Sequence, residues 1–581
     1  MDYLSRYNEW LNNVTENEKG ELVKIKDNDK EIMESFSLPL EFGTAGMRGI
    51  IGMGTFRMNE YTVRRATKGL ADYINSLGKK SAKAGVVIAY DTRRFSYKFA
   101  MAAARVLAFN QINAFLYEDV RPVPICSFAI RHLKASAGIM ITASHNPKEY
   151  NGFKVYGPDG AQMSPEATAQ VVSYINKIED YFSIDVADVD SVGHMDVYEA
   201  DGENINQYIK IIGESIDREY FKSIALQCLS PEAVEKEGAN LKIVYTPLHG
   251  AGYKPVTRIL REMNIPVTVV EEQAFPDPDF STVSAPNPEN ADALKLGIEL
   301  AKKIEGDVVI GTDPDTDRMG VALRGKDNEF FLLNGNQIGA LLLDYILRRK
   351  TETGTLPKNA AAVKTIVTTT LAKKIAESYG IAIYDVLTGF KFIGEKIKEW
   401  EADKSHTFIF GYEESFGYLA GTHSRDKDAV VSAMLFAEMA AYYKSIHSSI
   451  TARLDELYRK FGYYTEKNIA SSYKGLDGMV EMAEIMKSVR ETEFDNIGGY
   501  DVEFFSDYST STTRYADGRS EKILLPQSNV LYYGLKGGDW VCVRPSGTEP
   551  KLKVYVSASA DSAEKAEAKA NALLDYMKKY L

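Results

Sequence analysis

No run in the sequence approaches the ~18 consecutive apolar residues of a membrane-crossing helix, so no span is expected. The opening stretch, MDYLSRYNEWLNNVTENEKGELVK, is polar and acidic. It lacks the apolar core of a secretory leader, so none is expected. Cysteine is scarce: Cys126, Cys228 and Cys542 are far apart and form no CxxC pair. That argues against a disulfide framework or a zinc site and fits buried thiols in a reducing, cytoplasmic setting. Positive charge is also short. Against 81 Asp and Glu stand 69 Lys and Arg, a net of −12. Such a chain has no electrostatic footprint for nucleic acid. It can still bind a phosphate through a local cluster of arginines and backbone amides, because a cleft's field depends on nearby charge. There is no GxxxxGK[ST] and no GxSxG, which excludes a P-loop NTPase and disfavours a triad serine.

What is present is an ordinary globular composition, 45% hydrophobic and 26% charged, over 581 residues. At roughly 100–200 residues per domain, that length predicts three to five domains. Short Val- and Ile-rich runs end in polar loops and are followed by helical periodicity: GVVIAY (85–90), GIMIT (138–142), LKIVYT (241–246), DVVIGT (307–312) and TFIFGY (407–412). They read as buried strands in α/β layers. Thr62 to Leu77 reads as a helix with Val63, Ala66, Leu70, Ile74 and Leu77 on one face. A last helix starts near Asp561, where Asp561 and Glu564 can form a capping box. VVIAYDTRR (86–94) echoes VVIGTDPDTDR (308–318), which suggests repeated α/β units. Domains are expected at 1–208, 209–325, 326–455 and 456–581, and active groups at the carboxyl ends of parallel strands.

Five stretches carry candidate chemistry. In GTDPDTDRMG (311–320), Asp313, Asp315 and Asp317 alternate after a strand, which on an extended loop sends all three side chains to one side. Three such carboxylates repel one another and need a cation; hard oxygen ligands suit Mg²⁺. The EF-hand reading fails because its Gly and Glu positions hold Arg318 and Arg324. A hydrolase with an aspartyl nucleophile is weakened, since it would carry Thr or Val at Asp317.

In ITASHNPKEYNGFKVY (141–156), Ser144 reads as a turn or cap serine, a nucleophile or a phosphate carrier. His145 is its neighbour, and on an extended segment it would point the other way, poorly placed as the serine's base. A phosphate ester on Ser144 would complete the oxygens around a metal, which makes the carrier reading the better fit. Lys154 is a candidate acid or base. In VRPSGTEP (543–550), Arg544, Ser546, Gly547 and Thr548 form a candidate phosphate cradle. In GYEESFGY (411–418), Glu413 and Ser415 suit sugar hydroxyls, with Thr388-Gly389 a similar turn and Arg425 and Lys427 just beyond. Arg48, in EFGTAGMRG (41–49), could reach an anion.

Together and in this order, TASHNP…NGFK, DPDTDR, GYEES and RPSGTEPK resemble the α-D-phosphohexomutase superfamily over nearly the whole chain. The resemblance implies four domains around a central cleft, three similar mixed α/β domains plus a C-terminal TBP-like α+β domain. It implies that Ser144 is the phosphorylated serine, and that Asp313, Asp315 and Asp317 hold one Mg²⁺ per chain with the phosphate on Ser144 as a further ligand. Arg48 and Lys154, with His145, would assist proton movement. Glu413 and Ser415 would grip the sugar, with Arg318, Thr388, Gly389, Arg425 and Lys427 in the substrate group. Arg544, Ser546, Gly547 and Thr548 would cradle the non-reacting phosphate. The implied reaction moves a phosphoryl group between the 1- and 6-positions of a hexose, primed by glucose 1,6-bisphosphate. The EESFG form tilts the sugar toward glucose, with mannose and pentose phosphates as alternatives. A metal-assisted phosphatase or serine hydrolase, and a catalytically silent sugar-phosphate binder, are the other classes weighed. Partners would be small sugar phosphates, with the chain a monomer or homodimer.

Overall fold

A computed structural model describes residues 2–43, 46–189, 201–325, 327–473, 475–546 and 551–581. These fall into two compact units. The first comprises Met1–Leu333, Ile397–Ala402 and Gly417–Tyr442, and the second Asn334–Lys396, Asp403–Phe416 and Tyr443–Leu581. No helix among the described residues is long and apolar enough to cross a membrane.

The first unit holds two sheets. One runs Gly46–Ile50, Tyr150–Tyr156, Ala137–Ile141, Val86–Tyr90, Ala114–Tyr117, Ile209–Ile212 and Asn204–Asn206. The other runs Phe330–Leu333, Met319–Arg324, Val308–Thr312, Ile243–Thr246 and Val267–Val269. Val86–Tyr90, Ala137–Ile141, Ile243–Thr246 and Val308–Thr312 are buried along their whole length. That is why they read as continuous apolar runs rather than alternating ones.

The two sheets repeat one pattern. Ala137–Ile141 pairs parallel with Val86–Tyr90 and antiparallel with Tyr150–Tyr156. Val308–Thr312 pairs parallel with Ile243–Thr246 and antiparallel with Met319–Arg324. The sequence echo between 86–94 and 308–318 therefore joins strands that are not equivalent. By neighbours, 308–312 corresponds to 137–141, and 86–90 to 243–246. The repeat is real, but the shared VVI letters reflect double-sided burial rather than position.

In the second unit Ala382–Val386, Ala360–Thr365 and Thr407–Glu413 lie parallel. The C-terminal sheet is antiparallel: Tyr463–Ser472, Lys551–Ala560, Trp540–Pro545, Leu531–Leu535, Tyr500–Asp507, Thr512–Tyr515 and Ser520–Lys522. Its strands alternate as an antiparallel sheet with two apolar faces should. Val541 and Val543 join a core with Met486, Val489, Leu573 and Met577, from the helices Gly475–Glu491 and Ala563–Met577. Trp540 and Cys542 point the other way, into a cluster with Ile366, Val367 and Leu387. The expected class, mixed α/β sheets followed by an α+β sheet, is what forms.

Two end signals differ from expectation. The helix expected over 62–77 runs Glu60–Ser76, because Asn59 caps it and forms the capping box with Thr62. Val63, Ala66, Leu70 and Ile74 are buried, but Leu77 is 53% exposed, since it lies past the last helical turn. At the C-terminus the cap is Ser562, whose hydroxyl accepts from Lys565 N, rather than Asp561.

The same helix carries Gly69, where a methyl group would come within 2.3 Å of Ile175 Cγ1 and 2.9 Å of Ile175 N. Alanine is the better helix former by roughly 0.8–1 kcal/mol. Overpacking against backbone costs about 1–3 kcal/mol, so it wins. Gly69→Ala is expected to lower the urea midpoint; an unchanged or raised midpoint would show that the helices can separate freely.

Candidate active site

The Ser144 loop leaves the carboxyl end of Ala137–Ile141 and returns as Tyr150–Tyr156. Ser144 N donates to Thr142 Oγ1 at 2.8 Å and Asn146 N to Ala143 O at 3.1 Å. This turn places Ser144 at φ 52°, a left-handed backbone that is uncommon for serine. The segment is therefore not extended, and the expected separation of Ser144 from His145 fails. Ser144 Oγ lies 3.1 Å from His145 Nδ1. Loss of solvent around the ring, with Arg318 and Arg48 nearby, pushes this imidazole well below its ordinary value.

The aspartate loop leaves the matching end of Val308–Thr312. It too is a turn rather than an extended stretch. Thr316 N donates to Asp313 O at 2.9 Å, and Thr316 sits at φ 53°. Asp313 Oδ1 accepts from Asp317 N at 3.1 Å and Arg318 N at 3.0 Å. The turn, not side-chain alternation, gathers the carboxylates. All three are buried, and one oxygen from each lies within 4.8 Å of the others. Burial, then Asp315 and Asp317, drive the Asp313 carboxyl well above its ordinary range. Burial would do the same to Asp315, but the Lys154 ammonium and a hydrogen bond from Asp313 hold it low.

These two loops meet. Ser144 Oγ donates to Asp313 Oδ2 at 2.9 Å. Lys154 Nζ donates to Asp315 Oδ2 at 2.9 Å and lies 3.7 Å from Asp317 Oδ2. Lys427 Nζ pairs with Asp317 Oδ2 at 3.0 Å. Arg48 reaches the loop through Asn146 Oδ1 at 2.9 Å. Arg318 pairs with Glu289 Oε1 at 2.6 Å. Arg425 is placed differently: its guanidinium pairs with Glu401 and donates to the carbonyls of Thr422 and Ser424. It thus secures its own loop in this structure.

In the second unit, Glu413 Oε1 accepts from Gly389 N at 2.8 Å. Gly389 sits at φ 116°, which excludes most side chains there. Arg544 donates to Thr388 Oγ1 at 3.0 Å, tying the candidate phosphate cradle to the candidate sugar turn. Ser546 N donates to Lys551 O at 2.7 Å, and Ser415 is half-buried. Gly547 and Thr548 lie outside the described residues. Glu414, beside Glu413, accepts from Thr365 Oγ1 at 3.1 Å. Burial and Glu413 push its carboxyl up to about 7.

Two contributors were not expected from sequence. Asp426 accepts from Tyr156 Oη at 3.0 Å and faces Lys427 Nζ at 3.3 Å, so it shares that lysine with Asp317. Glu289 holds Arg318 from a separate segment. Asp426 adjoins Lys427 in RDKD, a signal available in the letters; Glu289 offers none.

Two successive α/β sheets thus present a buried hydroxyl to a buried carboxylate cluster, a layout suited to phosphoryl transfer. Models of the phosphoglucomutase/phosphomannomutase family match in order: α/β/α domain I over residues 39–182, domain II over 218–326, domain III over 334–461 and the C-terminal domain over 514–574. The chain belongs to this family. It is 38% identical over 560 residues to a phosphoglucomutase of Staphylococcus epidermidis, covering 95% of this chain and 97% of that one. To a phosphoglucomutase of Staphylococcus aureus it is 36% identical over 552 residues, covering 94% and 95%. Among solved structures, a putative phosphomannomutase from Thermus thermophilus matches with a TM-score of 0.66 at 22% identity, covering 93% of this chain and 99% of that chain. The open form of a Paramecium phosphoglucomutase, parafusin, matches with a TM-score of 0.66 at 19% identity, covering 93% and 94%. At these identities the structures speak to the fold.

Two outcomes follow from the electrostatics. Removing Lys427's charge strips Asp317 of its nearest cation and Asp426 of its ion-pair partner, and breaking a buried pair costs about 3–5 kcal/mol. Lys427→Met should lower thermal stability accordingly, and added Mg²⁺ should recover part of the loss; thermal unfolding with and without the ion checks this. Glu414 has a folded value raised above its unfolded one, so the folded state holds the proton longer. Its contribution is present at low pH and is lost as pH rises from the ordinary carboxylate range through about 7. The urea midpoint should fall across that window, and Glu414→Gln should flatten the slope.

Proposed function

We propose that the chain is a phosphoglucomutase, interconverting α-D-glucose 1-phosphate and glucose 6-phosphate through a phosphoserine at Ser144 and glucose 1,6-bisphosphate. The observation that carries this is the Ser144 hydroxyl, buried and 2.9 Å from Asp313 Oδ2. The relatives named above, at 36–38% identity over nearly the whole chain, support the same reading.

The aspartate triad fits a divalent cation. Three buried carboxylates converge, and Asp315 Oδ1 and Asp317 Oδ1 are buried without a hydrogen-bond partner. Asp313, Asp315 and Asp317 would hold one Mg²⁺, which supplies positive charge to the phosphoryl group on Ser144.

The protein's own residues do the rest. In the first transfer the sugar's 6-hydroxyl attacks the phosphorus, the Ser144 Oγ–P bond breaks, and the hydroxyl proton passes to a nearby base. Lys154 and His145 would take that proton, a reading supported by their contacts with Asp315 and with Ser144 Oγ respectively. The second transfer runs in reverse at the 1-position and restores phospho-Ser144. Arg48 steadies the loop through Asn146. Glu413 and Ser415, on the turn fixed by Gly389, take sugar hydroxyls. Thr388, Arg318, Arg425 and Lys427 complete the substrate group. Arg544 and Ser546, with Gly547 and Thr548, cradle the phosphate that does not react.

A serine hydrolase would use the Ser144–His145 contact instead. The test separates them. Glucose 1-phosphate, mannose 1-phosphate and ribose 1-phosphate are each offered with Mg²⁺ and a trace of glucose 1,6-bisphosphate. The expected result is isomerisation of glucose 1-phosphate, dependent on the bisphosphate and abolished in Ser144→Ala. Undiminished turnover by the alanine variant, or steady release of inorganic phosphate without primer, would sink the reading. Preference for mannose or ribose would move the chain to a sister activity.

A further inference from the structure

We propose that Arg93 is a positioning residue for the phosphoryl transfer: its guanidinium moulds the turn that aims Ser144 at the aspartates. Arg93 lies outside that turn in sequence, just past Val86–Tyr90, and its side chain is fully buried. Its Nη2 donates to Ser144 O and to Asn146 O, each at 2.5 Å. Its Nη1 donates to Pro147 O at 2.9 Å and Tyr150 O at 3.1 Å. Four carbonyls of one loop, spaced across seven residues, thus converge on one side chain.

The arrangement suits arginine and nothing else. A planar fork offers donors in two directions at once, whereas a lysine carries one ammonium with no fixed spread. The fork is itself fixed. Asp91 Oδ2 lies 3.3 Å from Arg93 Nε, and Asp91 Oδ1 accepts from Arg93 N at 2.9 Å. On the other side Phe280 stacks on the guanidinium, its ring centre 5.0 Å from the central carbon. Phe280 belongs to the loop between the helices Glu271–Ala274 and Ala291–Ile304. That loop is pinned by Asp277, which accepts from Asp279 N and Ser281 N. Asp279 in turn pairs with Arg94 and reaches Lys148 on the serine loop.

The consequence is chemical. Ser144 holds a left-handed backbone, a conformation that persists only where surrounding structure over-determines it. The carbonyls that Arg93 binds flank His145 on both sides, so the guanidinium fixes both Ser144 and the residue beside it. Loosening it would let the hydroxyl drift from Asp313 while leaving the sugar- and phosphate-binding residues intact.

This inference rests on Ser144 being the phosphoryl carrier, but half of its test does not. In Arg93→Lys, amide hydrogen exchange over residues 142–150 is expected to quicken selectively, with the rest of the first sheet unchanged. In the same variant kcat for glucose 1-phosphate should fall about 100-fold with KM within about threefold, the pattern of lost transition-state alignment rather than lost binding. Unchanged exchange over 142–150, or kcat within about twofold of the parent, would overturn the assignment. Should Arg93→Lys fail to fold, Phe280→Leu keeps the arginine but removes its stacking partner. It is expected to show the same loop-selective exchange and kcat loss at smaller amplitude, and a parental profile would overturn the proposal. A parent chain that turns over none of the sugar phosphates defeats the functional reading alone; the exchange result still decides Arg93.

Discussion

Three carboxylates packed close enough to share one cation cannot stay buried unless positive charge answers them. That constraint organises the first unit. Lys154 arrives on the strand returning from the serine loop, and Lys427 from a segment well past the aspartate loop. Asp426 then has to exist, because Lys427 serves Asp317 and needs fixing on its other side. The serine hydroxyl adds to the cluster by donating to Asp313, a carboxyl driven toward its neutral form. Each element of the site is thus present for an electrostatic reason before any substrate enters.

The second unit solves a different problem. Its candidate groups must meet sugar hydroxyls, which both donate and accept, so they are spread over turns rather than gathered into a charge cluster. Glu413 is held by a backbone amide and Arg544 by a threonine hydroxyl. Both ties leave the heads oriented. That is the proper state for groups whose partner is a neutral sugar or a phosphate.

Much of this was legible in the letters, and the failures have physical causes. Double-sided burial made the central strands readable as unbroken apolar runs, so the α/β layers and the site loops at their ends could be read directly. The same burial misled the internal comparison, since any buried parallel strand tends to Val and Ile whatever its place in the sheet. The relation of Ser144 to His145 was misjudged because a left-handed residue has no signature in its own identity; only the neighbouring hydrogen bonds reveal it. The three aspartates converge as their spacing suggests, but a turn rather than a pleat gathers them. Arg93 and Glu289 escaped because their roles depend on what lies opposite them in space. A cap was misassigned by one residue at Ser562, where aspartate and serine compete on equal terms.

The repeated strand–turn–return unit carries one more implication. Each site loop is stretched between two adjacent, hydrogen-bonded strands, 137–141 with 150–156 and 308–312 with 319–324. Adding one residue to either loop would slide the return strand by one position, and a slip of one turns every side chain to the opposite face. For 150–156 that would swing Lys154 away from the carboxylates; for 319–324, buried on both faces, it would press a neighbouring side chain into the place of Gly320, where a Cβ would lie 2.3 Å from Pro288 O. Loop length here is therefore as constrained as residue identity, and lineage-specific insertions should gather at the other ends of these sheets.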